Sequence, residues 1–200
     1  DRIMPTRCHR PPAALRPRVR VIPASIASIL LLSGSALAAD APCSWERQLV
    51  DGNGVDLFGA ADDFAGGVWV AGSSRTTSSP FRDLNFIARW TGSGWDAMDV
   101  PQPTDVGDGQ QLRAIASLGA DDAIAVGSAK LPESLPNASP QSLRWDGSSW
   151  SLLDSPTFVG GGFFADVAAT GDTVWATGGK LEAVPNGPLL EPLAARLDGD

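Results

Sequence analysis

The sequence has no tyrosine, one histidine (His9) and two cysteines (Cys8 and Cys43). Long apolar runs are also scarce. The longest, Val21–Leu32, is interrupted by Pro23, Ser25 and Ser28. As a helix it would extend about 18 Å, against a bilayer core of roughly 30 Å. Arg16, Arg18 and Arg20 precede this run, and small residues ending in Ala36-Leu37-Ala38 follow it. A positive n-region, a short h-region and an A-x-A exit predict a secretory signal peptide rather than a membrane anchor, with cleavage after Ala38 or Ala39. Asp40-Ala41-Pro42 stands before Cys43 where a lipoprotein would carry Leu-(Ala/Ser)-(Gly/Ala). The chain opens on Asp1, and Met4 is a candidate start. Residues 1–39 therefore read as leader and 40–200 as the mature chain, destined for an extracellular or periplasmic compartment.

Losing the leader sharpens each shortage. The mature segment has no His, no Tyr and one thiol. A Ser-His-Asp triad cannot be assembled from it, and zinc bound through histidine has no ligand. No disulfide can form within it, so a secreted fold must be held by its core. Positive charge is short too: from Asp40 onward there are 9 basic and 22 acidic residues, a net charge of −13. A chain that acidic repels phosphate backbones, which excludes nucleic acid as a partner. The overall balance of 43% hydrophobic and 19% charged residues is that of a globular protein.

What is present is a repeat. Val68-Trp69-Val70-Ala71-Gly72 matches Ala123-Ile124-Ala125-Val126-Gly127 and Val174-Trp175-Ala176-Thr177-Gly178, at offsets of 55 and 51. Ala88-Arg89-Trp90-Thr91-Gly92-Ser93-Gly94-Trp95 matches Leu143-Arg144-Trp145-Asp146-Gly147-Ser148-Ser149-Trp150, and then Ala195-Arg196-Leu197-Asp198-Gly199-Asp200. A third module, Val55–Ala60, recurs as Leu112–Ser117 and Phe164–Ala169. Three modules in one order make an internal repeat.

Each repeat reads as four short strands rich in Val, Ile, Leu, Trp and Phe and bounded by Gly, Asp, Ser and Pro. No stretch sustains helical periodicity. Gly92-Ser93 and Gly147-Ser148 fit the centre of a type II′ hairpin, which places Trp90 opposite Trp95 and Trp145 opposite Trp150. Four antiparallel strands per unit of about fifty residues predict an all-β chain of β-propeller blades. Two are complete, Val55–Val100 and Leu112–Leu153, and three strands of another begin near Phe163, giving about two and a half to three blades. Ser44–Val50, with Trp45, reads as a lone fourth strand that completes the last blade of a ring. The sequence stops at Asp200, inside the hairpin leading to the next Trp. An N-terminal fragment of a longer propeller is therefore expected.

These residues resemble kelch-type propeller repeats across nearly all of Ser44–Asp200. The resemblance rests on the second strand ending Val174-Trp175-Ala176-Thr177-Gly178-Gly179, the long loop after it, an aromatic third strand and a fourth strand carrying Trp. Two features depart from the pattern. Gly72-Ser73 and Gly127-Ser128 replace the Gly doublet, and Trp90 and Trp145 stand in place of Tyr, five residues before the next Trp. The Arg-Trp-Asp-Gly-Ser-Ser-Trp wording is similar to tandem repeats of secreted bacterial proteins. A copper centre like that of galactose oxidase, one use of kelch-type propellers, needs Tyr, His and Cys together and cannot be built from this segment.

Strand order divides the connections between two ends of each unit. The 1–2 and 3–4 hairpins are short and alike. The connections at the other end, Ser73–Asp83, Pro101–Gln111, Ser128–Pro140, Ser155–Gly161 and Gly179–Pro192, are longer and vary, which makes them the expected binding surface. Arg75 and Arg82 flank one of them and could hold an acidic sugar or a carboxylate. Asp105 and Asp108, with Glu133, Glu182 and Glu191 on neighbouring connections, could supply a carboxylate pair for glycoside hydrolysis or serve as solubilising charge. Asp51-Gly52-Asn53-Gly54-Val55-Asp56 lacks the full set of calcium ligands and reads as a turn. Asp146-Gly147 lacks the intervening residue of a sialidase Asp-box. Asn137-Ala138-Ser139 is a glycosylation sequon. The tryptophan pairs, placed identically in each repeat, point to packing rather than to sugar stacking.

The expected function is thus a secreted β-propeller module that binds protein or carbohydrate, with no catalytic residue, cofactor or metal ligand assigned. The alternative is an extracellular carbohydrate-active enzyme, a hydrolase or lyase, whose catalytic residues lie mostly in further blades.

Overall fold

The computed structural model describes residues 46–50, 54–103, 109–130, 138–171, 173–184 and 187–197. Cys43, Trp45, Asp105, Asp108, Glu133, Asn137 and the leader lie outside the described residues. Among those described, all regular structure is β. Strands β1 (Val55–Asp62), β2 (Val68–Arg75), β3 (Asp83–Trp90) and β4 (Trp95–Ala97) form one antiparallel sheet in sequence order. Strands β5 (Gln110–Gly119), β6 (Asp122–Lys130), β7 (Ala138–Trp145) and β8 (Trp150–Leu153) form a second of the same topology. Strands β9 (Gly162–Thr170), β10 (Thr173–Val184) and β11 (Gly187–Leu197) form a third, with β10 in the middle. Open four-stranded antiparallel sheets, stacked in chain order, are consistent with part of a propeller.

The turns follow from the residues in them. Trp90 pairs with Trp95, and Trp145 with Trp150, around two-residue loops. Gly92 and Gly147 both adopt φ 92°, whereas Ser93 and Ser148 do not enter the positive region, as a type II′ turn requires. Gly72, Gly127 and Gly178, which end the repeated second-strand module, have a different role. Each stands beside a register shift in the strand before its own: Leu57/Gly59, Leu112/Ala114 and the β9 step opposite Thr177/Gly178. At Gly127 an added Cβ would lie 1.9 Å from the Gln111 carbonyl oxygen. The bulged backbone fits against β6 only because nothing projects there.

Burial records the stacking. Along β6 every residue between Asp122 and Lys130 is buried, so both faces of the second sheet are covered and its strand is a continuous apolar run. One face meets the first sheet through Trp69, Ala71, Ile87, Leu112, Ile115, Ala123, Ala125, Leu143, Trp145 and Trp150. The other meets the third through Ala114, Ile124, Val126, Phe164, Val167, Val174 and Ala176.

A polar cluster crosses the first junction. Asn85 Nδ2 donates to Gln141 Oε1 at 3.1 Å, and Gln141 Nε2 donates to Asn85 Oδ1 at 2.8 Å and to the Ser128 carbonyl at 2.8 Å. Gln102 adds two bonds to the Asn85 backbone: its Oε1 accepts from the amide at 2.8 Å, and its Nε2 donates to the carbonyl at 3.0 Å.

Three expectations are corrected. The connection Gly179–Pro192 is strand over most of its length, since β10 and β11 stay paired from Val174↔Leu197 out to Val184↔Gly187. Pro188 and Pro192 stand on β11, the outer strand of the described sheet, the strand position at which proline is admitted. The connection expected over Ser73–Asp83 shrinks to residues 76–82, because β2 runs on to Arg75 and β3 starts at Asp83. Finally, residues 46–50 form no strand, so the described part of Ser44–Val50 does not supply a fourth strand.

Candidate binding face

The ends of the sheets that bear the short hairpins satisfy themselves internally. In the β1–β2 turn, Asp63 is 2% exposed and its Oδ1 accepts the backbone N–H groups of Ala65 (2.9 Å) and Gly67 (2.6 Å). Its Oδ2 takes Arg89 Nε and Nη2, each at 2.8 Å. Burial works to raise the Asp63 pKa, but the Arg89 hydrogen bond, the two backbone donors and the Arg89 charge outweigh it, and the carboxyl sits below its ordinary value. The second sheet repeats the pair: Arg144 Nε and Nη2 donate to the two oxygens of Asp122 at 3.0 and 2.9 Å. Sequence reasoning missed these pairs. The signal was an Arg directly before the last residue of the third strand in every repeat, Arg89, Arg144 and Arg196. In the β7–β8 hairpin, Asp146 Oδ1 accepts the N–H groups of Ser148 and Ser149, each at 2.8 Å, and these bonds with the Ser148 hydroxyl hold its pKa down to about 2.

The opposite ends are built differently. Backbone bonds tie their connections together: Lys130 N–H to the Gly109 carbonyl at 2.6 Å, Leu181 N–H to Gly161 at 2.9 Å, and a parallel bridge from Asp83 to Gly109. Loop 76–82 is closed by Thr76 N–H to the Arg82 carbonyl at 2.9 Å and by the Arg82 N–H to Thr76 Oγ1 at 2.8 Å. Its tip presents Phe81, 63% exposed.

Gly160 lets the β8–β9 connection press against β10, since a Cβ there would lie 1.8 Å from the Leu181 carbonyl oxygen. The result is an open cleft of about 470 Å³ lined by Thr157, Phe158, Val159, Gly160, Lys180, Leu181 and Glu182. Val159 projects fully into solvent beside it, and Leu189 and Leu190 are 51% and 57% exposed on the far end of β11.

The expected site residues separate. Arg75 donates from Nε to Asp83 Oδ1 at 2.9 Å and from Nη2 to Oδ2 at 3.4 Å, which raises its pKa. Its side chain, 62% exposed, already holds an internal carboxylate. Arg82 contributes the backbone closure of the loop. Glu182 and Glu191, expected on a loop, stand instead on adjacent strands with Lys180. Lys180 Nζ lies 2.7 Å from Glu191 Oε2, and this bond, with the Glu182 carboxyl and the Lys180 charge adding to it, lowers the Glu191 pKa. A general acid in glycoside hydrolysis needs a raised carboxyl. Glu191, shifted the other way, would suit only the ionised partner of such a pair.

Trp69, Trp145 and Trp150 are spent on packing. Trp69 makes edge contacts with Trp145 (ring centroids 5.5 Å apart, 60°) and Trp150 (5.6 Å, 85°). All three are buried, so none offers a flat face to a sugar. No protein-family model matches this chain, and no curated protein matches it.

Proposed function

We propose that the chain is a secreted, kelch-like repeat module that binds a protein partner through the end of the sheets carrying loop 76–82, the β8–β9 connection and the tip of β10–β11. One observation carries this: Phe81, Val159, Leu189 and Leu190 are all strongly exposed at that end. Exposed apolar side chains carried on connections that paired strands hold in place are candidate contacts for a partner. The charged pairs Arg75–Asp83 and Lys180–Glu191 lie among them and supply a polar rim. Among the described residues, the other end offers Phe64, 63% exposed, and Val68, 36% exposed. A net charge of −13 on the mature segment favours a partner whose surface is basic around an apolar patch.

The test is cross-linking of the intact secreted chain to its surroundings in culture medium, alongside a Phe81→Ser/Leu190→Ser variant and a Phe64→Ser control. A protein partner captured by wild type and control, and reduced at least about tenfold with the double variant, is the expected result. Equal capture by all three overturns the assignment of the face. Glycan-array binding by the same preparation, with no protein captured, moves the function to carbohydrate.

A further inference from the structure

Each repeat carries the same irregularity in its first strand. The pairing of β1 with β2 steps from Leu57 to Gly59, that of β5 with β6 from Leu112 to Ala114, and that of β9 with β10 from Phe164 to Asp166. One residue is left out of register each time: Phe58, Arg113 and Ala165. All three are exposed, Phe58 at 49%. A bulge lifts one side chain out of the alternation and aims it afresh. Its backbone is constant here, because Gly72, Gly127 and Gly178 admit it in the same way on the neighbouring strand. The residue it projects is different in every repeat. Packing positions recur with the fold, as Trp90–Trp95 and Trp145–Trp150 do. A position that keeps its geometry and varies its chemistry is free to serve a ligand.

The first strands of neighbouring sheets touch, β1 with β5 and β5 with β9, which brings these projections together. A Cβ at Gly59 would lie 2.7 Å from Ala114 Cα and 3.1 Å from the Arg113 carbonyl oxygen, so Phe58-Gly59 sits directly against Arg113-Ala114. On the other side, the guanidinium carbon of Arg113 lies 5.3 Å over the half-buried ring of Phe163 on β9. A cation–π contact at an exposed site is worth about 0.5–1 kcal/mol and restrains the planar group while leaving its N–H donors free. Arg75, Arg89 and Arg144 are each matched to a carboxylate. Among the described residues, the Arg113 side chain makes no ion pair and no hydrogen bond, although Asp56 and Asp166 stand on the flanking strands.

We propose that Arg113, with Phe163 behind its guanidinium and Phe58 on the adjoining bulge, is a binding site for a small carboxylate that carries an apolar or aromatic body. The free edge of the guanidinium matches the two oxygens of one carboxylate in a bidentate pair, and the phenyl rings receive the apolar part. A single arginine in a segment of net charge −13 suits one negative charge better than the two of a phosphate. The site lies on strands rather than on connections and shares no residue with the binding face above, so either reading can fail without the other.

Titration of the full chain with phenylacetate tests it, read on the Arg113 Nε–H resonance of isotope-labelled protein and, for variants, by ligand-observed NMR. A saturable shift with Kd of about 1 mM is expected. Benzyl alcohol, which keeps the ring without the charge, and acetate, which keeps the charge without the ring, should each bind at least about threefold more weakly. Arg113→Gln is expected to weaken phenylacetate binding at least about tenfold, and Phe58→Ala about threefold. Arg47→Gln, at an exposed cation elsewhere, should leave it unchanged. Unchanged far-UV circular dichroism would show that each variant folds. Absence of saturation up to about 20 mM phenylacetate overturns the proposal. So does equal binding by wild type and Arg113→Gln, or an equal loss with Arg47→Gln, which would mark diffuse attraction to positive charge. Tighter binding of inorganic phosphate than of phenylacetate would overturn the choice of ligand class.

Discussion

Asn85 on β3 and Gln141 on β7 grip each other across the first sheet junction, amide to amide, with two reciprocal hydrogen bonds of 3.1 and 2.8 Å and both side chains 4% exposed. Removing either one leaves the other amide buried without its partner, and an unpaired buried amide costs about 1–3 kcal/mol. Asn85→Ala and Gln141→Ala should each destabilise by about that amount in urea unfolding. The double variant should lose less than the sum of the two, with a coupling of about 0.5–3 kcal/mol. Strict additivity would show that the pair is not a unit.

Gly127 makes a harsher prediction. Its neighbour across the bulge is backbone, the Gln111 carbonyl, which cannot rotate aside as a side chain could. Gly127→Ala should therefore cost about 1–3 kcal/mol despite adding a single methyl group. Gly94→Ala, in open space in the β3–β4 hairpin, is the matched control and should lower the melting temperature much less.

Acid should reach the Asp63–Arg89 pair in a defined window. The folded-state pKa of Asp63 lies below its ordinary 3.8, so its contribution to stability is fully present above about pH 3.8 and is lost as the pH falls through the folded value. Asp63→Asn keeps an oxygen for the turn amides but strips Arg89 of its counter-charge. The variant should be about 2 kcal/mol less stable at neutral pH. Its stability should also fall less steeply than that of wild type below pH 3.8. Parallel acid limbs for variant and wild type would contradict the ion pair.

Asp146 can be followed directly. Its carboxyl resonance should titrate with a midpoint of about 2, so that the turn bonds persist above pH 3.8 and loosen as the pH falls through about 2. The Ser149 backbone donor is the largest cause, followed by the Ser148 hydroxyl. Ser148→Ala should move the midpoint only part of the way back towards 3.8.

Much of this architecture could be read from the chain because it depends on local chemistry. Two-residue turns need Gly at one position, and that fixes Trp90 against Trp95 and Trp145 against Trp150. The repeat then extends the same register to each sheet. What could not be read depends on partners far apart in sequence. Asp63 and Arg89 are 26 residues apart, and Asn85 and Gln141 are 56 apart, so no spacing rule links them.

Pro188 and Pro192 looked like loop residues because proline is a poor strand former. Only the position of β11 at the outside of the described sheet explains their place in a strand. At the end of the sheets proposed to bind a partner, sequence reasoning chose charged residues. The exposed set is apolar, and exposure depends on how each connection is pinned to its neighbour, as Gly160 is to Leu181.

The ribbon formed by residues 181–184 and 187–190 runs past the end of β9, whose pairing with β10 stops at Lys180↔Gly162. Leu181 at its base is bonded to the Gly161 carbonyl of the β8–β9 connection, but neither apolar cluster at the sheet junctions draws on the ribbon beyond it. Length and wording there are consequently decoupled from stability. A foreign recognition peptide spliced into the ribbon would be displayed beyond the end of β9, making this the natural graft point if the protein is engineered as a display scaffold.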